Sequence, residues 1–137
     1  MAFPITVLPD GELALIQYLR SRTEVTTLVP AERITTALAP NPTYPVILVQ
    51  RIGGNAKAWQ KIDEPAFQVE VVGGTRYQCQ QIARVVRACI LAIRNDTVTE
   101  ATLVAGFEEV GIQWIPDNVV VPPLPRFVAR YQVLLHN

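Results

Sequence analysis

Residues 67–93 constrain this chain more than any other segment. An alternating strand, Phe67-Gln68-Val69-Glu70-Val71-Val72, runs into Gly73-Gly74, and an amphipathic helix opens at Thr75. The strand sets Phe67, Val69 and Val71 on one face and Gln68 and Glu70 on the other, the period of a half-buried strand. In the helix, Cys79, Ile82, Val86, Cys89, Ile90 and Ile93 recur at helical spacing on one side. Two such apolar surfaces, close in sequence, are buried together by laying the helix across the sheet. The segment holds no catalytic constellation, so function is expected in the surfaces of a scaffold.

The remaining segments extend that plan. Leu8-Pro9-Asp10-Gly11-Glu12 reads as a helix start with Asp10 as N-cap; Leu13, Ile16, Tyr18 and Leu19 face inward, and the helix ends near Arg22. A short strand is expected at 33–38, closed by Ala39-Pro40-Asn41-Pro42, since prolines do not serve a central ladder. Residues 45–52 are rich in β-branched side chains and read as a strand. A polar loop at 53–63 carries Lys57, Trp59 and Lys61. Residues 98–115 read as a long strand or a hairpin, interrupted by bulges or turns at Gly106 and Gly111. After a Pro-rich connection at 116–125, Phe127, Ala129, Tyr131, Val133 and Leu135 alternate along a final strand. Short links between strands favour antiparallel neighbours. The expected fold is α+β: a mostly antiparallel sheet with two helices packed on one face, forming one domain over residues 1–137.

Composition narrows the function. Half of the 137 residues are hydrophobic and 18% are charged, the reverse of what disorder requires. So little charge on a small domain points to apolar surface covered by other subunits. Twelve basic and twelve acidic residues cancel, whereas a dedicated nucleic-acid binder needs a cationic surplus. Cys79 and Cys89, ten residues apart on one helix, are separated by about 15 Å, too far for a disulfide. Both fall on the apolar side and read as small core residues, consistent with synthesis in a reducing host cytoplasm. No apolar run approaches the roughly 20 residues of a membrane span, and Met1-Ala2-Phe3-Pro4 does not open a signal peptide. A soluble protein with no membrane partner is expected.

No residue pattern supports catalysis, a cofactor or a metal. His136 is the one histidine and Ser21 the one serine, and the cysteines lack the spacing of a metal site. Gly53-Gly54 and Gly73-Gly74 match no phosphate-binding fingerprint and read as turns. Glu108-Glu109 and Asp63-Glu64 are neighbours whose side chains point to opposite faces of a strand, unlike a carboxylate dyad. Arg76, Arg84, Arg87 and Arg94 project within a narrow arc of the long helix, as a solvated face or as a contact with a subunit or partner. Trp59 stands in a polar loop, where it either folds back on the core or anchors a partner. The candidate partner surface is therefore Gly53, Gly54, Lys57, Trp59 and Lys61, together with the four arginines.

Several ordered pieces resemble one family. They are the opening helix at 10–22, Tyr44-Pro45-Val46-Ile47-Leu48-Val49 running into Gly53-Gly54, and Phe67-Gln68-Val69-Glu70-Val71 followed by Thr75-Arg76. Trp114-Ile115-Pro116-Asp117 and Pro125-Arg126-Phe127-Val128 complete the order, which spans nearly the whole chain. In that order and spacing the chain is similar to the tail terminator, or tail-completion, proteins of long-tailed bacteriophages. The resemblance implies a virion protein of the tail and neck that assembles with itself, commonly as a hexameric ring. Such a ring ends growth of the tail tube protein, meets the head-to-tail connector protein, and lets DNA pass through its lumen without specific binding. The family has no catalytic residues to transfer. Alternatives are another neck component, such as a head-completion protein, and a small α+β enzyme with a pocket between helix and sheet.

Overall fold

A computed structural model describes residues 4–59, 61–119 and 121–137. Helix α1 (Gly11–Ser21) is followed by one short turn of helix, α2 (Thr23–Thr26), and a 3-10 turn at Ala31–Arg33. Strands β1 (Ile34–Thr35), β2 (Val46–Lys57) and β3 (Ile62–Val72) precede the long helix α3 (Arg76–Leu91). Strands β4 (Arg94–Thr97), β5 (Thr102–Trp114) and β6 (Arg126–His136) complete the chain. The strands form one sheet in the order β1-β2-β3-β6-β5-β4, curled into a half-barrel.

Helix α3 starts where its sequence says it must. Gly73 and Gly74 take positive φ, and the Thr75 hydroxyl accepts from the Gln78 amide at 3.1 Å while the Gln78 side chain accepts from Thr75 N–H at 3.0 Å. This reciprocal box satisfies two amides that a helix start otherwise leaves open. Cys79 then donates its thiol to the Val71 carbonyl, 3.1 Å away, fastening the first turn to β3. Cys79, Ile82, Val86, Cys89, Ile90 and Ile93 are all buried, as are Phe67, Val69 and Val71. Ile93 reaches the core from beyond the C-cap Ala92, so the helix is shorter than its apolar run. Both cysteines are free thiols in the interior.

Helices α1 and α3 feed one core with Val69, Val71, Phe127, Ala129, Tyr131, Val133 and Leu135. Each fully buried aliphatic side chain there contributes about 1.5–3 kcal/mol relative to exposure. Asp10 caps α1, its carboxylate accepting from the Leu13 amide at 3.2 Å. The inward side of α1 differs from expectation: Ala14 and Leu15 are buried, and Leu13 is 38% exposed. Gly11 decides this. A Cβ there would lie 3.1 Å from Pro65 and 3.3 Å from Phe67, so the glycine side of α1 lies on the sheet and Leu13 turns away.

Four further expectations are corrected. The strand expected at 33–38 is only Ile34–Thr35, and it runs parallel to β2, because the chain between them makes a long detour instead of a tight turn. The polar loop expected at 53–63 is mostly strand: β2 and β3 pair as far as Lys57 with Ile62, in a ribbon with a bulge between Arg51 and Gly53. The turn on the 98–115 segment falls before residue 102, and β5 runs unbroken through Gly106 and Gly111. Gly106 pairs with Val133 and marks a close approach: a Cβ there would lie 2.1 Å from the Ile90 carbonyl of α3. Gly111 does fall in an irregularity, between Val110 and Gln113, as its sequence predicts; the other bulges lie between Leu103 and Ala105 and between Glu108 and Val110, not at Gly106.

Candidate functional site

The ribbon formed by β2 and β3 carries half of the candidate surface. At its tip Ala58 and Trp59 adopt positive φ, and the Lys61 amide donates to the Ala58 carbonyl at 3.2 Å. Trp59 is 81% exposed, so it does not fold back onto the core. Gly54 also has positive φ, and a Cβ on it would meet the Glu64 carbonyl at 2.1 Å; this position requires glycine. Gly53 faces open space. Lys57 pairs with Glu64 across the ribbon at 2.9 Å, and Lys61 lines a recess with Pro4, Thr6 and Trp59.

Sequence reasoning missed the ribbon's main polar anchor. Arg51 grips Asp63 with two nitrogens, at 2.6 and 3.0 Å, and donates from Nε to the Gly53 carbonyl at 3.0 Å. Asp63 is only 2% exposed, and a bidentate guanidinium is the partner that makes such burial tolerable. The Arg51 backbone amide points the other way and donates to the Glu12 carboxylate of α1 at 2.7 Å. Parity was the available signal: stepping back by twos from Val71, Val69 and Phe67 lands on Asp63, on the buried face.

The four arginines do not form one stripe. Arg94 lies in β4, beyond the helix, and donates Nη1 to the carbonyls of Ile93 (2.6 Å) and Leu91 (3.3 Å), closing the helix end. Arg76 lies 4.3 Å over the Trp114 ring, which itself packs on Phe127 with ring centres 5.0 Å apart. Arg87 is bound to the Glu108 carboxylate, whose hydrogen bond raises the guanidinium pKa above its ordinary value. All four are exposed, and Arg84 lies in a shallow groove shared with Gln81, Val85, Arg87, Ala88 and Leu91.

Among the described residues the arrangement assembles no reactive constellation. The space between α3 and the sheet, where an enzyme of this layout would hold substrate, is an apolar void of about 10 Å³ lined by residues such as Val69, Ala83 and Val86. Cys79, bonded to the Val71 carbonyl, is an inert thiol, its pKa pushed up to about 11 by burial. Burial likewise raises Tyr18 and Tyr131 to about 12, and Tyr18 donates its hydroxyl to the Cys89 carbonyl at 2.6 Å. Among the described residues no group of three or more His, Cys, Asp or Glu is placed to hold a metal ion. No helix among them is long and apolar enough to cross a membrane.

No curated protein matches the sequence. Among solved structures, a chain of the virion of a native gene transfer agent particle is similar in fold, with a TM-score of 0.61 at 14% identity; the match covers 93% of this chain and 95% of that one. The family of phage tail termination proteins matches residues 7–128. A family match over most of its length leads to one conclusion: the chain belongs to the phage tail termination protein family, structural tail proteins of the virion and not enzymes.

Proposed function

We propose that this chain acts as a single domain, with both helices on one face of its sheet, and forms a closed ring of six copies at the head-proximal end of a tail. The ring ends growth of the tail tube, joins the tail to the head-to-tail connector and leaves a lumen through which DNA passes without specific binding. Family membership carries the reading. It is supported by exposed apolar side chains at both flanks of the sheet: Ile52 and Trp59 on the ribbon, and Phe107, Trp114 and Ile115 on and just beyond β5. Different surfaces on opposite flanks suit a head-to-tail contact, which gives a ring when its rotation closes. The ribbon tip, with Trp59, Lys57 and Lys61, and the outward face of α3, with Arg84, are the surfaces assigned to subunit, tube or connector contacts.

Negative-stain imaging of the purified protein and of tails tests the proposal. Rings at the tail end next to the head are expected. Tails that are normally terminated and contain no ring of this protein would overturn it.

A further inference from the structure

The two edges of the sheet are treated differently. On one edge, β4 covers the start of β5, while the uncovered remainder carries two bulges and the exposed Glu109, devices that discourage strand pairing. On the other edge, β1 pairs only with Ile47 and Leu48 of β2. Residues 50–57 are all exposed, and past Gly53 the ribbon keeps a regular register with β3. Its charges are neutralised from within, Arg51 by Asp63 and Lys57 by Glu64. Among the described residues no strand lies against the outer side of 52–57, so alternate amides and carbonyls there face solvent.

The chain also holds an unused strand. Ile5-Thr6-Val7-Leu8, bounded by Pro4 and Pro9, holds one of the two runs of three consecutive β-branched residues outside an element, the other being Val119-Val120-Val121. Ile5 is 95% exposed and Val7 85%, so the apolar side of this arm has no cover among the described residues. Its base is fixed: Pro9 is buried, and the Asp10 amide donates to the Glu100 carboxylate at 2.9 Å. From that base Pro4 and Thr6 pass beside Trp59 and Lys61 at the ribbon turn. The five residues 4–8 extend about 17 Å beyond the anchor, enough to reach a neighbouring copy.

We propose that residues 5–8 of one copy add as a strand to the outer edge of β2, residues 52–57, in the next copy. The inference rests on the reading that copies of this chain assemble. Backbone hydrogen bonds supply the pairing, and alternate side chains of the arm fall on opposite faces of the extended sheet. Gly53, Gly54 and Ala56 leave the receiving edge uncrowded for Ile5 or Val7. Because every copy owns both an arm and an edge, the contact repeats from copy to copy in one direction.

The test uses the full chain, with Cys79 and Cys89 buried and therefore silent. Protein carrying Thr6→Cys or Val7→Cys is mixed with protein carrying Asn55→Cys or Ala56→Cys, oxidised, and read by mass spectrometry, in solution and in tails. A cross-link between the two different chains is expected, together with an association at least about tenfold weaker for Val7→Pro, which removes one pairing amide. Rings that form without this cross-link, and that tolerate Val7→Pro, overturn the arm contact and leave the ring reading intact. In a protein carrying both Thr6→Cys and Asn55→Cys, a cross-link found only within single chains also overturns it, because the arm then pairs with its own edge. An inter-chain cross-link in tails that lack a ring would uphold the contact and sink the ring instead.

Discussion

Tyr18, Tyr131 and Cys79 are ionisable groups held in the core in their neutral forms. Unfolded, the tyrosines ionise near 10; folded, burial moves each to about 12. The folded state keeps its protons to higher pH, so this stabilisation is complete below pH 10 and is lost as pH rises toward 12. Cys79 shifts from 9 to about 11 and begins the same loss one unit earlier. Urea unfolding across this range should show stability falling by up to about 1.4 kcal/mol per pH unit for each such group, and Tyr131→Phe should flatten the fall. Val86 gives the complementary test. It is buried between α3 and the sheet, so Val86→Asp places an unpaired carboxylate there and should cost several kcal/mol. A mutant that melts with the parent would contradict the assigned helix face. That face was readable because every apolar position obeys one period. Leu13 was misread because the side of α1 that meets the sheet is chosen by Gly11, a residue with no side chain to signal it.

The elements were legible where a local pattern acts alone. The Asp10 cap, the Thr75 opening and the final alternating strand all depend on near neighbours in sequence. The ribbon was not legible, since its β2 half, residues 50–57, buries no face and so shows no alternation; its pairing is set by backbone bonds and by Arg51–Asp63. Gly106 shows how an element can be placed by an absence. Gly106→Ala drives a methyl into the Ile90 carbonyl and must push α3 away from β5, at about 1–3 kcal/mol, visible as a lowered melting temperature. Trp59→Ala, at the exposed end of the ribbon, should leave melting unchanged and impair assembly on tails. A large melting drop with normal incorporation of the surviving folded protein would show that the side chain serves the fold instead.

For the whole molecule, the order of the two longer helices and the longer strands was visible in sequence, while α2, β4 and the sheet order were not. Placing β6 between β3 and β5 requires contacts across the chain that no local pattern encodes. The sheet face turned away from the main core is more informative than net charge. Cross-strand rows there run Gln50, Gln68, Arg130 and Leu48, Glu70, Val128, Gln113. Glu70 lies 3.7 Å from Arg126, leaving Arg130 as an exposed cation with no ion pair among the described residues. A face dominated by amides and paired charges has little to offer phosphates. Fluorescence anisotropy with duplex DNA should therefore detect no tight binding at about 0.15 M salt. Salt-sensitive, micromolar binding would contradict this, and Arg130→Gln would then locate the source.

The first two turns of α1, with the cap Asp10, touch both flanks of the sheet. Glu12 holds the backbone of β2, while Asp10 and Gln17 hold Glu100 in the turn between β4 and β5, at 2.9 Å each. This stretch works as a strut of fixed length set across an arch. The span of the arch cannot widen or narrow unless one of these footings slips. In the ring proposed above the copies act as identical wedges, and the wedge angle, and with it the number of copies, would then depend on this start of α1.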